Sequence, residues 1–349
     1  MTVNKRIRDY EINIGRLKPG KNNLITDVLG VKVGNYTLND DHIQTGVTAI
    51  VPHEGNLFKE KLVAATYVIN GFGKSTGLMQ INELGTLETP IILTNTLSVG
   101  IGFDSLVKYM LRENEDIGVS TGTINPIVCE CNDGYLNDIR GGYITEKHVI
   151  GALEKADELF EEGSVGAGRG MSAYKLKGGI GSSSRVFMLG HMEYTIGALV
   201  LSNMGEKRDL TIEGYNVGEK IYELEKSQED GDKGSIIMII ATDVPLSSRQ
   251  LRRICKRAGV GLSKTGSLFG NGSGDIVIGF STANKIHHYE KDHIVDIKVI
   301  NEDKIDILFR ACAESVEEAI INSMICAETV KGRDGNYREG LRNYMDFMK

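Results

Sequence analysis

Short runs of apolar residues alternate along the chain with a few segments that have helical periodicity. Each run is rich in valine, isoleucine and leucine and stops at glycine, asparagine or proline, a pattern typical of strands. The runs at residues 235–241 and 276–280 predict buried strands. The runs that predict strands cover residues 31–36, 46–51, 62–69, 90–93, 124–131, 185–189, 195–202, 235–241 and 276–280.

Helical periodicity marks four longer segments. In residues 103–113 the apolar side chains cluster on one side, and in residues 146–161 five of them form a stripe with helical spacing. Residues 247–257 and roughly residues 304–330 also have the pattern of helices. Strands in succession, with helices at both ends, predict one layered α/β or α+β domain covering residues 1–349.

Two segments lack either periodicity. Residues 163–184 are rich in glycine and serine and predict a loop. Residues 206–234 are charged and polar and predict an exposed connector.

Composition narrows the class of protein. Of the 349 residues 41% are apolar, which is enough for a packed core, and 42 glycines with only 5 prolines favour tight turns around rigid elements. The net charge of −7, without a long basic block, argues against nucleic acid as a partner. The sequence has neither an apolar signal segment nor a run long enough to span a membrane, so a cytoplasmic protein is expected.

The five cysteines contain no Cys-x-x-Cys pair. Cys129 and Cys131 alternate along a predicted strand and share one face, but no second pair completes a tetrahedral metal site. We therefore expect reduced, buried thiols rather than metal ligands. The serine chemistry described below implies neither a metal nor a cofactor.

Three glycine-rich stretches imitate known motifs. Residues 118–122 match the G-x-S-x-G nucleophile elbow, but a strand follows them where a helix is required. Residues 73–76 match the end of a phosphate-binding loop whose first glycine is replaced by Val68. Residues 166–170 lack the spacing of a dinucleotide-binding loop, and both a mobile, substrate-contacting loop and a structural element remain open for them.

The stretch Gly270-Asn271-Gly272-Ser273-Gly274-Asp275 is the strongest chemical signal. Its glycines can hold Ser273 in a backbone geometry that bulkier residues resist, and from there the hydroxyl can attack the carbonyl of Gly272. Cleavage would leave Ser273 as a new N-terminus, whose α-amine titrates at about 7.7–8.0 and can act as a base. The alternative is a glycine turn that leads into a core strand.

Asn203 ends the apolar run at residues 195–202. A side-chain amide at a strand end can donate a hydrogen bond to a developing oxyanion. The alternative is that Asn203 simply forms the turn that follows the strand.

Several long stretches together resemble one family, the self-processing aminopeptidases of the L-aminopeptidase/D-alanine esterase-amidase and β-peptidyl aminopeptidase type. The resemblance covers nearly the whole chain and the stretches occur in the same order. They are residues 23–28, 70–74, 131–138, 177–181, 243–246, 270–275 and 332–335.

The resemblance implies cleavage between Gly272 and Ser273, giving an α-chain of residues 1–272 and a β-chain of residues 273–349. It implies a four-layer αββα sandwich similar to N-terminal-nucleophile hydrolases but with different connectivity, and homo-oligomers of αβ units. The site residues that it implies are Ser273 as nucleophile, Tyr135 in the active site, Asn203 as oxyanion donor, Ser315 and Glu317 as supporting residues, and Glu130 as anchor for the substrate ammonium.

Ser315 and Glu317 also admit a structural interpretation. Ser315-Val316-Glu317-Glu318 fits a capping box, in which Ser315 caps the start of a helix and Glu318 is its third residue. Residues two apart do not share a face inside a helix, so both side chains can reach one site only if a helix begins there.

The resemblance and the Ser273 turn together predict a serine aminopeptidase that removes N-terminal residues from short peptides, amides or esters through an acyl-enzyme. One alternative is an amidase for β-peptides or ω-amino-acid oligomers with the same fold. A related acyltransferase class shares the layered plan but uses a threonine nucleophile in a different motif. The last alternative is a non-catalytic scaffold that remains uncleaved.

Overall fold

Two β-sheets stack face to face, and helices cover the outer face of each. The computed structural model describes residues 5–225 and 234–347. Within these ranges the strands are β1 (Lys32–Asp40), β2 (Ile43–Val51), β3 (Glu60–Gly71), β4 (Thr86–Leu87), β5 (Ile91–Asn95), β6 (Ile127–Cys131), β7 (Ser172–Ala173), β8 (Leu176–Lys177), β9 (Gly179–Leu189), β10 (Met192–Asn203), β11 (Thr211–Ile212), β12 (Tyr215–Asn216), β13 (Ser235–Thr242), β14 (Gly274–His287), β15 (Val330–Lys331) and β16 (Tyr337–Arg338). The α-helices are α1 (Leu78–Leu84), α2 (Val99–Glu113), α3 (Glu146–Glu154), α4 (Val217–Glu225), α5 (Ser248–Cys255), α6 (Ala258–Lys264) and α7 (Asp306–Ile325).

The larger sheet has six strands in the order β4-β3-β14-β13-β10-β9, and the smaller sheet has four in the order β1-β2-β5-β6. Neighbouring strands are antiparallel except for the parallel pairs β13–β14 and β5–β6. The remaining short strands form two-stranded hairpins.

Three hydrophobic cores separate the four layers. One lies between the two sheets, one between the large sheet and helices α5, α6 and α7, and one between the small sheet and helices α2 and α3. The order of layers is therefore helix, sheet, sheet, helix, and the predicted αββα sandwich is confirmed.

Strands β13 and β14 lie at the centre of the large sheet. This position explains why the runs at residues 235–241 and 276–280 are apolar. In β13, Ile237 and Ile239 pack between the sheets, while Ile236 and Met238 pack against the helices. A strand covered on both faces has no solvated side and so shows no polar alternation. The strands predicted at residues 235–241 and 276–280 are confirmed.

The loop predicted for residues 163–184 is wrong in its second half, because the short strands β7 and β8 lie within it and β9 begins at Gly179. The serines of β9 can be buried in the sheet because each hydroxyl has a hydrogen-bond partner. The Oγ of Ser182 donates to the carbonyl of Ala198 at 2.8 Å, and that of Ser183 to the carbonyl of Ser315 at 2.7 Å. Satisfied hydroxyls remove the penalty that makes serine rare in a core.

The connector predicted for residues 206–234 is also wrong where the structure describes it. Residues 207–225 form the hairpin β11–β12 and helix α4, and four apolar side chains there are buried in the core beside α7, namely Leu210, Ile212, Val217 and Ile221. Residues 226–233 lie outside the described part of the chain.

Helix α3 is shorter than predicted and ends at Glu154 rather than at residue 161. Asp157 instead exchanges two backbone hydrogen bonds with Val33 of β1, at 3.0 and 3.1 Å. Pairing with this edge strand draws the backbone out of the helix, and Leu159 is left 68% exposed.

All five cysteines are free and buried, and Cys129 and Cys131 share the core between the sheets. Burial raises the pKa of the Cys129 thiol to about 12. In residues 5–225 and 234–347 no helix has the length and apolar character needed to cross a bilayer.

Candidate active site

Ser273 lies directly before β14, in a turn closed by its own backbone. Its N–H donates to the carbonyl of Gly270 at 2.9 Å, and the residue is only 1% exposed. Its Oγ donates to Oδ1 of Asp275 at 2.6 Å, and the Asp275 side chain is fully buried. A hydroxyl so close to a carboxylate makes a short, charge-assisted hydrogen bond, and the carboxylate can receive the proton when the hydroxyl attacks.

The glycines of this turn have a different role from the one predicted. None of Gly270, Gly272 and Gly274 has a left-handed φ, so the expected backbone strain is absent there. Gly274 is needed for another reason, because a Cβ on it would lie 2.7 Å from the carbonyl oxygen of Phe72. A Cβ on Gly272 would meet nothing within 4 Å. The close approach of Phe72, which directly follows β3, thus accounts for Gly274 but not for Gly272.

Asn70 holds the turn from the neighbouring strand β3. Its Nδ2 lies 3.1 Å from the carbonyl oxygen of Gly270 and 3.3 Å from that of Asn271, and it also donates to the carbonyl of Ser273. These contacts fix the peptide units on both sides of the Gly272–Ser273 bond. Sequence reasoning missed this role, although Asn70 stands in one of the stretches that carried the resemblance.

Glu130 reaches the same turn from β6 of the other sheet. It is 4% exposed, and its Oε1 accepts a hydrogen bond from the backbone N–H of Lys74 at 2.8 Å, while its Oε2 accepts one from Thr96. A Cβ placed on Gly73 would lie 3.5 Å from Oε1 and 3.9 Å from the Cα of Gly274. The carboxylate is therefore close to the residue that follows Ser273.

Asn203 lies at the end of β10, and both polar atoms of its side-chain amide are hydrogen-bonded. Its Oδ1 accepts from the N–H of Ser172 at 2.8 Å, and its Nδ2 donates to the carbonyl of Asn132 at 3.1 Å. Sheet register pairs Asn203 with Ser235, and Ser235 with Gly274. Asn203 is therefore two strands from the start of β14, a separation of about 10 Å.

Tyr135 lies in the turn that follows β6, and its side chain is 41% exposed. The hairpin β15–β16 holds this turn, because Nδ2 of Asn336 donates to the carbonyl of Tyr135 at 2.9 Å. The guanidinium of Arg338 stacks 3.5 Å from the centre of the Tyr135 ring. Tyr135 and Asn203 line the same cleft, which has a volume of about 450 Å³. The structure thus brings these two predicted residues together.

Ser315 and Glu317 lie in the interior of α7 (Asp306–Ile325), so the capping-box interpretation is wrong. Residues two apart in a helix point in different directions. Glu317 pairs with Lys264 of α6, with Nζ 2.7 Å from Oε2; burial raises the pKa of Glu317 and Lys264 opposes the shift. The Oγ of Ser315 is buried and has no hydrogen-bond partner in the described part of the chain.

A buried ionic cluster, unforeseen from the sequence, fixes helix α7 against the large sheet. Arg185 of β9 is fully buried, and its Nη2 lies 2.7 Å from Oε2 of Glu318. The same carboxylate accepts from Arg8 at 2.6 Å and from Asn23 at 2.6 Å. Burial acts to raise the pKa of Glu318, but the two guanidinium groups hold it below its usual value.

The glycine-rich stretches that imitate other motifs take structural roles. Residues 118–122 form an irregular segment between α2 and β6, as predicted. Residues 166–170 are buried, with the N–H of Gly166 bonded to Thr37 at 2.8 Å and that of Ala167 bonded to Thr48 at 3.1 Å. This favours the structural interpretation of that stretch over the mobile one.

The sequence and fold of this chain are similar to those of known peptidases. The model of a family described as peptidase family S58 matches residues 23–338. The beta-peptidyl aminopeptidase BapA of Sphingosinicella microcystinivorans is 35% identical over 341 residues, which cover 91% of this chain and 85% of that protein.

Two solved structures are similar to nearly the whole chain. The PH0078 protein from Pyrococcus horikoshii OT3 superposes with a TM-score of 0.94 at 54% identity, covering 99% of this chain and 98% of that one. The L-aminopeptidase D-Ala-esterase/amidase from Ochrobactrum anthropi superposes with a TM-score of 0.90 at 35% identity, covering 97% and 96%. The latter is described as a prototype for the serine aminopeptidases and as a new variant of the Ntn hydrolase fold.

Proposed function

This chain belongs to peptidase family S58 and is a hydrolase of the aminopeptidase type, and on that premise we propose that Ser273 is its nucleophile and is released by self-cleavage at the Gly272–Ser273 bond. The products would be residues 1–272 and residues 273–349. The observation that carries the proposal is the hydrogen bond from Ser273 Oγ to the buried carboxylate of Asp275, in a turn that Asn70 holds.

Self-cleavage proceeds in two steps. Ser273 Oγ attacks the carbonyl carbon of Gly272 while its proton passes to Asp275, and the C–N bond breaks as the new amine takes up a proton. The chain is then joined through an ester on Ser273. Water hydrolyses that ester, which leaves a carboxylate on Gly272 and a free amine and hydroxyl on Ser273.

In turnover the freed α-amine, which titrates at about 7.7–8.0, accepts the proton as Ser273 Oγ attacks the substrate carbonyl. Glu130 binds the substrate ammonium, a role supported by its buried carboxylate beside Gly73 and Gly274. Asn203 and Tyr135 donate to the oxyanion, since both face one cleft at the strand ends. Water then resolves the acyl-enzyme.

Ser315 and Glu317 are proposed to assist the nucleophile, and the structural evidence differs between the two residues. The Ser315 hydroxyl is buried without a partner among the described residues, so it is available to bond to a group that changes during maturation. Glu317 already pairs with Lys264, nine residues before Ser273 in sequence, and its role would be to position the loop that leads to the nucleophile.

The proposed substrates are short peptides, amides and esters with a free N-terminal amine. A second candidate, hydrolysis of β-peptides or ω-amino-acid oligomers, is favoured by the 35% identity to a protein named beta-peptidyl aminopeptidase. Side-by-side turnover of an α-dipeptide, the matching β-dipeptide and D-alanine amide separates the two. Preference for the β-dipeptide would replace the first candidate with the second.

Denaturing mass spectrometry of the purified protein tests the proposal directly. Two fragments that meet at Gly272/Ser273 are expected, and the Ser273→Ala protein is expected to remain whole. A single intact chain with full peptidase activity would contradict self-cleavage, and an intact chain that no serine-directed acylating reagent labels would support a non-catalytic scaffold.

We also propose that the protein works in the cytoplasm as a homo-oligomer of αβ units. Reduced thiols are typical of that compartment, and all five cysteines here are free and buried. Assembly is supported by an exposed apolar segment, residues 294–299, in which Ile294 is 87% exposed. Light scattering after size-exclusion chromatography should give a mass several times that of one αβ unit, and a single unit would contradict assembly.

A further inference from the structure

The cleft that contains Tyr135 and Asn203 is strongly cationic. Among the residues that the structure describes, four basic side chains line it and no aspartate or glutamate does, in a chain whose net charge is −7. Cations gathered in a concave, low-dielectric wall produce a stronger field than the same charges on a flat surface. The basic residues are Arg140, Lys175, Arg333 and Arg338.

The three arginines have few carboxylate partners among the described residues. Neither Arg140 nor Arg338 lies within ion-pair distance of a carboxylate in residues 5–225 and 234–347, and Arg333 only approaches the exposed Asp334 at 3.6 Å. Each guanidinium carries five donors in a planar fork. Their hydrogen-bonding capacity toward the cleft is therefore largely unused.

Arg338 is connected to the proposed oxyanion donor. Its Nε donates to Oγ of Ser172 at 3.2 Å, and the N–H of Ser172 donates to Oδ1 of Asn203 at 2.8 Å. The guanidinium plane is held over the Tyr135 ring. A ligand group bound by Arg338 would thus lie next to the place where the reacting carbonyl is expected.

The acidic and basic groups lie on opposite sides of Ser273. The sheet register runs Gly71–Gly274–Ser235–Asn203, so the turn of Ser273 has β3 on one side and β13, followed by β10, on the other. Glu130 contacts the segment just after β3, and the cationic cleft begins at Asn203. The Glu130 carboxylate is close to Gly274, and Gly274 is two strand spacings from Asn203, about 10 Å. An extended peptide covers roughly 3.3–3.6 Å per residue.

We propose that this cationic cleft binds the carboxylate of the fragment that leaves, so that the preferred substrates are peptides of two to about four residues with a free C-terminus or with an acidic residue directly after the scissile bond. The proposal rests on the proposed function, because it takes Ser273 as the point of attack. Glu130 binds the ammonium end, and Arg338 and Arg333 bind the carboxylate end with paired N–H···O bonds. Long or amidated peptides lack that second contact.

The test compares one dipeptide as free acid and as C-terminal amide. The wild-type protein should show a kcat/KM at least about tenfold higher for the acid, since a hydrogen bond to a charged group is worth on the order of one tenfold step or more. The preference should decrease with added salt. Arg338→Gln and Arg333→Gln should each lower the acid-to-amide ratio, and Arg140→Gln, at an exposed position, serves as a third variant that is expected to fold.

Lys331→Gln is the matched control, since Lys331 is an exposed cation of the same C-terminal hairpin but does not line the cleft. Equal turnover of acid and amide by the wild type, or an acid-to-amide ratio unchanged in all three arginine variants, would overturn the inference and leave the proposed function intact. Hydrolysis of neither form, together with an uncut chain by mass spectrometry, would instead count against the proposed function.

Discussion

Replacing Asp275 with asparagine should slow self-cleavage while leaving the turn in place. The Ser273 hydroxyl lies 2.6 Å from Oδ1 of Asp275, and both residues are buried, so bulk water cannot easily take over as the base. Asparagine has the same shape and its amide oxygen can still accept the hydrogen bond. It cannot, however, accept the proton that Ser273 Oγ must lose before it attacks Gly272.

The expected magnitude follows from the loss of general-base assistance. A positioned base contributes typically 10²- to 10⁴-fold to a rate. With about 1.4 kcal/mol for each tenfold step, Asp275→Asn should raise the barrier of self-cleavage by about 3–5 kcal/mol. A wild-type chain that is cut within a minute would then need hours to days.

The assay follows the fraction of uncut chain with time after cell-free synthesis, using denaturing mass spectrometry. Ser273→Ala should remain uncut throughout, and Asp292→Asn, an exposed carboxylate beyond β14, should be cut at the wild-type rate. Thermal unfolding of the uncut Ser273→Ala protein with and without Asp275→Asn tests whether the fold is retained. Cleavage of the Asp275→Asn protein at the wild-type rate would refute the role of Asp275 as base.

Three further predictions concern the oxyanion donor, a buried acid and the ionic cluster. Asn203→Ala should lower kcat by 10²- to 10³-fold with a smaller change in KM; an unchanged kcat would remove Asn203 from the mechanism. Burial raises the pKa of Asp133 to about 7, whereas an unfolded aspartate titrates near 3.9. Between about pH 4 and 7 the folded protein therefore binds one proton more than the unfolded chain. The free energy of unfolding should decrease as pH rises through this range, by up to about 4 kcal/mol. Asp133→Asn should flatten the decrease in melting temperature from pH 5 to 7.5, and an unchanged pH profile would contradict this. Arg185→Met removes one buried partner of Glu318 and should lower the free energy of unfolding, measured in urea, by about 3–5 kcal/mol. The control Arg310→Met, at an exposed position, should lower it by less than about 1 kcal/mol. Equal losses in the two variants would be inconsistent with the cluster.

Sequence patterns predicted strands correctly where the apolar character of a segment matches its burial in the fold. The runs at residues 235–241 and 276–280 are apolar because both faces of the central strands are covered there, and the starts of both strands were predicted to within two residues, although β14 continues to His287. The predictions failed where distant partners satisfy polar groups. Ser182 and Ser183 form a buried part of β9 because Ala198 and Ser315 accept their hydrogen bonds, and neither acceptor is local in sequence.

Local chemistry in the sequence determined the turn around Ser273, the apolar strand after it and the family to which the chain is related. Only the tertiary structure decided which other groups meet at that turn. Asn70 bonds to it from β3, Glu130 approaches it from the second sheet, and Arg338 reaches the cleft from the C-terminal hairpin. The physical reason is that strand register and sheet stacking, which no short-range pattern specifies, bring together residues more than fifty positions apart.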